Sequence, residues 1–188
     1  QSMTLTQAIG GTITFSTLNP GTRVVGKTGL QVSTNGTGMN ITAGRQRTNS
    51  TPAALASGAI PTNTTYHIDD DAKMDVFNGI SNCAAASSTT AVWINGTSTG
   101  LGFSNYGFTG GSAKSTACWG STTTAPASDD THKYIALQAS VGASSFISSS
   151  GYSSASSIVS VGYSLDVPTA QPATLYNGGV VFTATSNL

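Results

Sequence analysis

Residues 157–187 read SIVSVGYSLDVPTAQPATLYNGGVVFTATSN, and the alternation in this stretch decides the fold. Val159, Val161, Tyr163, Leu165 and Val167 recur with a period of two, while Ser160, Gly162, Ser164 and Asp166 take the positions between them. A strand sends successive side chains to opposite faces, so the pattern predicts one packed face and one face toward water. Pro168 and Pro172 cannot sit inside a paired central strand, which makes residues 168–178 the connection. Val180, Phe182 and Ala184 then resume the alternation and are expected to return on the same face.

The pattern recurs outward from there. Met3, Leu5 and Ile9, then Ile13 and Phe15 beyond Gly10-Gly11, predict strand, turn, strand. Asn35-Gly36 divides two alternating runs in LQVSTNGTGMNITAG, a strong hairpin signal. Residues 66–80 resume order, and residues 91–108 predict a second hairpin, turning near Asn95-Gly96 or Thr99-Gly100; residues 133–140 supply a further strand. Residues 45–65 and 110–132 read as surface loops, with one short helical turn at PAALASG, residues 52–58. Eight to ten short strands imply an all-β chain: a single antiparallel β-sandwich, Ig-like or jelly-roll-like, with long Ser/Thr-rich loops.

Composition agrees. Among 188 residues only 7% are charged and all seven acidic residues are Asp, while Ser and Thr make up roughly three residues in ten. Helix propensity is poor throughout and hydroxyls keep the surface wet. A formal net charge of zero, with Arg45 and Arg47 the only close basic pair, argues against nucleic acid as a partner. No apolar run reaches the roughly 20 residues of a membrane span. The Gln1 start reads as a mature chain after leader removal.

Cys83 and Cys118 are the two cysteines, and in a charge-poor, hydroxyl-rich chain they are expected to form one disulfide in an oxidising compartment. Five Asn-X-Ser/Thr triplets, at Asn35, Asn40, Asn49, Asn63 and Asn95, are candidate N-glycosylation sites.

Chemistry is harder to find. Asp69, Asp71 and Asp75 are a weak calcium candidate, because their spacing is not that of an EF-hand loop; a charge-protected edge or turn explains them better. His67 and His132 each lie near an Asp, yet no Gly-x-Ser-x-Gly elbow marks a nucleophile, and no enzyme and no cofactor are expected. The glycine-rich runs at residues 36–44 and 100–111 lack the lysine of a phosphate loop. Trp93, Trp119, Tyr106 and Phe108 could form a sugar-stacking platform, though such residues more often fill a core.

The run Tyr163-Ser164-Leu165-Asp166-Val167-Pro168, followed by Gln171-Pro172-Ala173, Tyr176 and VVFTAT, resembles the last hairpin of secreted prokaryotic surface and filament-like β-sandwich domains. The likeness covers about the last 30 residues, and Thr174 stands where such domains usually carry Gly. It implies an exported, non-enzymatic surface or appendage subunit.

Met3, Leu5, Gln7 and Ile9 are then the candidate donor strand and Gly10-Gly11 its hinge, so that residues 1–11 can be donated to a neighbouring subunit and residues 12–188 form the sandwich. The expected function is a structural subunit of an extracellular, pilus-like homopolymer assembled by strand complementation, with self as the main partner. The alternative is a monomeric surface adhesion or carbohydrate-binding module whose partners are surface glycans.

Overall fold

A computed structural model describes residues 3–9, 11–45, 55–56, 67–68, 91–109, 119–127, 132–135, 145–149 and 153–187. Its strands are β1 (Met3–Ile9), β2 (Val24–Thr34), β3 (Gly38–Arg45), β4 (Leu55–Ala56), β5 (His67–Ile68), β6 (Ala91–Val92), β7 (Gly100–Thr109), β8 (Lys133–Tyr134), β9 (Ser145–Ser149), β10 (Ser153–Asp166) and β11 (Val180–Asn187). The chain is all-β and its ladders are antiparallel.

Two sheets carry the architecture. The first has the order β1-β2-β10-β7 and the second β11-β3-β9. Leu30 and Val32 of β2, Leu101 and Phe103 of β7, and Val159, Val161, Tyr163 and Leu165 of β10 share one buried cluster with Met39, Ile41 and Ala43 of β3. Phe182 of β11 reaches across, its ring centroid 6.3 Å from that of Phe103. Full burial of a Val, Leu, Ile, Phe or Met side chain is worth about 1.5–3 kcal/mol, so these inward rows are what hold the two sheets together.

Two expected hairpins are arches instead. β2 and β3 meet at residues 35–37 but belong to different sheets, and so do β10 and β11. The reason lies in the apolar rows. Leu30 and Val32 need cover, and Met39, Ile41 and Ala43 supply it by stacking over them, which a ladder between the two strands would prevent. Thr34 secures the crossing: its Oγ1 accepts from the Gly36 N–H at 3.0 Å and shares a 3.1 Å hydrogen bond with Ser186 Oγ.

The second arch explains the QPAxxY element. Tyr176 donates its hydroxyl hydrogen to the Pro172 carbonyl at 2.8 Å and accepts from Gln171 Nε2 at 2.7 Å, while the Gln171 N–H donates to the Pro168 carbonyl at 3.0 Å. One phenol thereby closes the corner between the sheets.

Three local expectations also change. Ile13 and Phe15 lie in an extended segment that joins no ladder; β1 pairs with β2, from Met3↔Thr34 to Ile9↔Gly29. A turn does form at Asn95-Gly96, with Gly96 at φ 72° and Thr97 N–H donating to the Ile94 carbonyl, but β6 then pairs with β8 and not with β7. Leu55 and Ala56 are strand residues paired with Ile68 and His67, where a helical turn was expected; a partner strand outweighs weak local propensity.

The largest correction concerns the outer face of β10. Gly162, Ser164 and Asp166 are buried, not wet. A second layer lies on this side of the sheet: Pro126 against Gly162, Trp93 and Tyr134 against Gly102 with His132 beside Tyr134, while Arg23 reaches Ser164 and the Gly21 N–H reaches Asp166. Glycine makes room for it: a Cβ on Gly162 would lie 2.4 Å from Pro126 Cγ, and one on Gly102 would lie 2.9 Å from Trp93 Cζ3. Beneath the cover Arg23 is 6% exposed, donating from Nε to Ser164 Oγ at 2.6 Å and from an Nη to the Tyr134 hydroxyl at 2.7 Å. Its guanidinium also faces the Tyr134 and Trp93 rings, 5.1 and 5.8 Å from their centroids.

Candidate assembly site

β1 occupies the edge of the first sheet and has β2 as its ladder partner. Met3 and Leu5 turn partly inward and pack against the core, while Thr4 and Thr6 are exposed. Gln7 Nε2 donates to Thr28 Oγ1 at 3.1 Å, a polar clasp near the end of the ladder. Beyond Gly29 the β1 ladder stops, so residues 24–28 of β2 pair with β10 and have no β1 residue opposite them.

The chain nevertheless continues along the same line. Ile13, Phe15 and Leu18 pack partly buried against the core, and Thr12, Thr14 and Ser16 face outward. Their alternation is that of a strand, but the segment carries no ladder. Gly26 permits the approach, since a Cβ there would lie 2.5 Å from Ile13 Cγ2 and 3.2 Å from Phe15 Cε1.

This segment borders a groove of about 1040 Å³ floored by Leu101, Tyr163 and Leu165 and flanked by Val180 and Phe182 of β11. Among the described residues β11 has a ladder partner on one side only, β3, and Val180 and Phe182 line the groove. Tyr163 is 5% exposed, and burial pushes its hydroxyl well above the ordinary tyrosine range. At the mouth stands Leu175, 81% exposed, an apolar side chain that water does not favour.

Residues 19–22 close the segment. Thr22 N–H donates to the Asn19 carbonyl at 2.9 Å, Gly21 adopts φ 78°, and Gly21 N–H donates to Asp166 Oδ1 at 3.0 Å. Asp166 itself is fully buried, and its Oδ1 also accepts from the Val167 N–H at 2.7 Å.

The other expected site residues are scattered. Asn35 and Asn95 are exposed at turns, whereas Asn40 lies half-buried on β3 with its amide donating to Asn187 Oδ1 at 2.9 Å. Trp93 and Trp119 are buried at 4% and 3% exposure and present no stacking face to solvent. His132 is buried, with Nε2 donating to the Thr124 carbonyl at 2.8 Å. Gly11 is exposed next to Gln7. Cys83, Cys118, Gly10, Asn49, Asn63, Asp69, Asp71 and Asp75 lie outside the described residues.

Among the described residues no group of three His, Cys, Asp or Glu side chains gathers to hold a metal, and no helix is long and apolar enough to cross a membrane. Sequence reasoning missed the groove, the Asn19–Thr22 turn and the role of Asp166. The sequence signal for the turn is Asn19-Pro20-Gly21, a typical turn run. Compared with known protein families, curated proteins and solved structures, the chain matches none.

Proposed function

We propose that this protein is a structural subunit of an extracellular, pilus-like filament, built by strand complementation between copies. The observation that carries the reading is the pairing of an edge strand with a nearby cradle: β1 is held by one ladder, near a groove lined by Val180 and Phe182 of β11, a strand with one ladder partner among the described residues. A strand so held can be traded for the same strand of another copy, because it makes the same interactions with either body. Trading edges head to tail makes a chain of subunits and covers backbone groups that would otherwise invite uncontrolled pairing. In this reading Cys83 and Cys118 form a disulfide, and Asn35 and Asn95 are the sequons whose surroundings leave room for a glycan.

Negative-stain electron microscopy of the purified protein tests the reading. Filaments with a subunit-scale repeat, lost on deletion of residues 3–9, are expected. Uniform single particles across a wide concentration range would overturn it and direct attention to glycan binding.

A further inference from the structure

We infer that the exchanged element is larger than β1: residues 3–9 and 11–18 form one arm, hinged at the Asn19–Thr22 turn, and in the assembled state its cradle belongs to a second copy of this chain. The inference rests on the complementation reading above and specifies what moves.

Both halves of the arm lie on the body in the same manner. Met3, Leu5, Ile13, Phe15 and Leu18 pack against the core, and Thr4, Thr6, Thr12, Thr14 and Ser16 face water. The second half has no ladder to break, so lifting it costs side-chain packing and few backbone hydrogen bonds.

The cradle is continuous. Where the β1–β2 ladder ends at Gly29, the strip over Gly26 on which Ile13 and Phe15 pack begins, beside the groove over Leu101, Tyr163 and Leu165, so a strand that replaces β1 runs directly onto it. Were residues 12–18 to stay in place, the incoming chain would have to leave the sheet at Gly29, because two copies of the segment cannot both pack over Gly26.

The occupant is a second copy on grounds of charge as well as fit. Residues 3–18 contain no Asp, Glu, Lys, Arg or His, and the groove is lined by uncharged residues throughout. An ordinary soluble peptide would bring charges, and burying those here is costly. The arm of another copy packs over Gly26 and walls the groove as the chain's own arm does, which leaves the hinge as the main difference between the closed and exchanged forms.

The hinge is placed by what surrounds it. Arg23 is fixed under the cover layer, so the rigid body begins there. Just before it, Pro20 and Gly21 are exposed, and nothing lies within 4 Å of the position a Gly21 Cβ would take. Gly21 also holds a positive φ that other residues rarely adopt. Asp166 ties this turn to the body through the Gly21 N–H.

Mixed-copy cross-linking tests the arm. Two pairs of single-cysteine variants are co-assembled and oxidised: Thr4→Cys with Ser33→Cys, and Ile13→Cys with Gly26→Cys. Thr4 and Ser33 are ladder partners, so their Cα atoms lie within the span a disulfide bridges. The 2.5 Å approach at Gly26 sets the Cβ atoms of the second pair within about 4 Å, also in range. Copies without the new cysteines control for exchange with Cys83 and Cys118.

Intermolecular disulfides at both pairs are expected. A disulfide at Thr4–Ser33 alone would overturn the arm and return the hinge to Gly10-Gly11, with strand complementation intact. Polymers without either cross-link would remove complementation itself, and no polymer at all would remove both readings. Should Gly26→Cys fail to fold, a photoreactive benzoylphenylalanine in place of Phe15 in a tagged copy needs no change at Gly26: capture of an untagged copy supports the arm, and capture within its own chain overturns it.

Discussion

The backbone N–H of Gly21 donates to Asp166 Oδ1 over 3.0 Å, a contact that spans 145 residues of sequence. It joins an exposed turn of the N-terminal region to a fully buried carboxyl group. The same oxygen takes the Val167 N–H, whereas Oδ2 is buried with no hydrogen-bond partner among the described residues. One side chain therefore ends β10 and anchors the chain entering β2.

Replacing Asp166 separates these roles. Asp166→Ala leaves two N–H groups without their acceptor and should lower stability by about 2–4 kcal/mol, as urea unfolding would report. Asp166→Asn keeps an oxygen at Oδ1 and should lose roughly 1 kcal/mol or less. Equal losses for the two variants would show that the carboxyl group acts through something other than these bonds.

The covered face of β10 leads to a second prediction. Gly162→Ala should cost about 1–3 kcal/mol, because its Cβ meets the rigid Pro126 ring at 2.4 Å and residues 121–127 have to move. Gly102→Ala meets Trp93 and Tyr134 at 2.9 and 3.1 Å and should weaken the near-ultraviolet circular dichroism of that ring pair. Gly107→Ala is the control: its nearest atom is Ser160 Cβ at 3.3 Å, and a small shift relieves it. A Gly162→Ala variant as stable as the control would show that the cover does not press on the sheet.

These same residues show how far the sequence could be read. The rows Val159 to Leu165 and Leu30 to Val32 were legible because burial imposes a period of two on apolar residues. Their sheet partners were not: whether two adjacent strands pair or stack depends on what their inner faces need, and Asn35-Gly36 looks alike in both cases. The second cover on β10 was hidden because Gly and Ser at residues 160, 162 and 164 read as a wet face, although small residues equally suit a face on which other chain lies. Of the candidate site, β1 was legible from its alternation. The groove was not, because Leu101, Tyr163 and Phe182 come from three distant strands.

Arg23 offers a third test through its partner Tyr134. Arg23→Met, Tyr134→Phe and the double variant form a cycle whose coupling should be about 1–3 kcal/mol, since each change removes the charge-assisted hydrogen bond while Phe keeps a ring facing the guanidinium. Arg23→Lys should not restore stability, because an ammonium lacks the planar fork that reaches Ser164 and Tyr134 at once. A coupling near zero would place Arg23 as a spectator beneath the cover.

Tyr163 makes the last prediction, and its sign follows from burial alone. The unfolded chain releases a tyrosine proton near pH 10. Burial in the groove floor raises the folded value above that, so the folded protein keeps its proton where the unfolded chain has lost it. The stabilising contribution is complete below about pH 10 and declines as the pH climbs toward the folded value. Tyr106 adds to the trend, its pKa raised by burial and partly offset by its hydrogen bond with Ser160. Urea midpoints between about pH 8 and 11 should therefore fall for the wild-type protein and fall less for Tyr163→Phe, with Tyr106 accounting for part of the remaining slope. Parallel curves for the two proteins would mean that Tyr163 meets water in the groove, and that the arm does not seal the floor on which it lies.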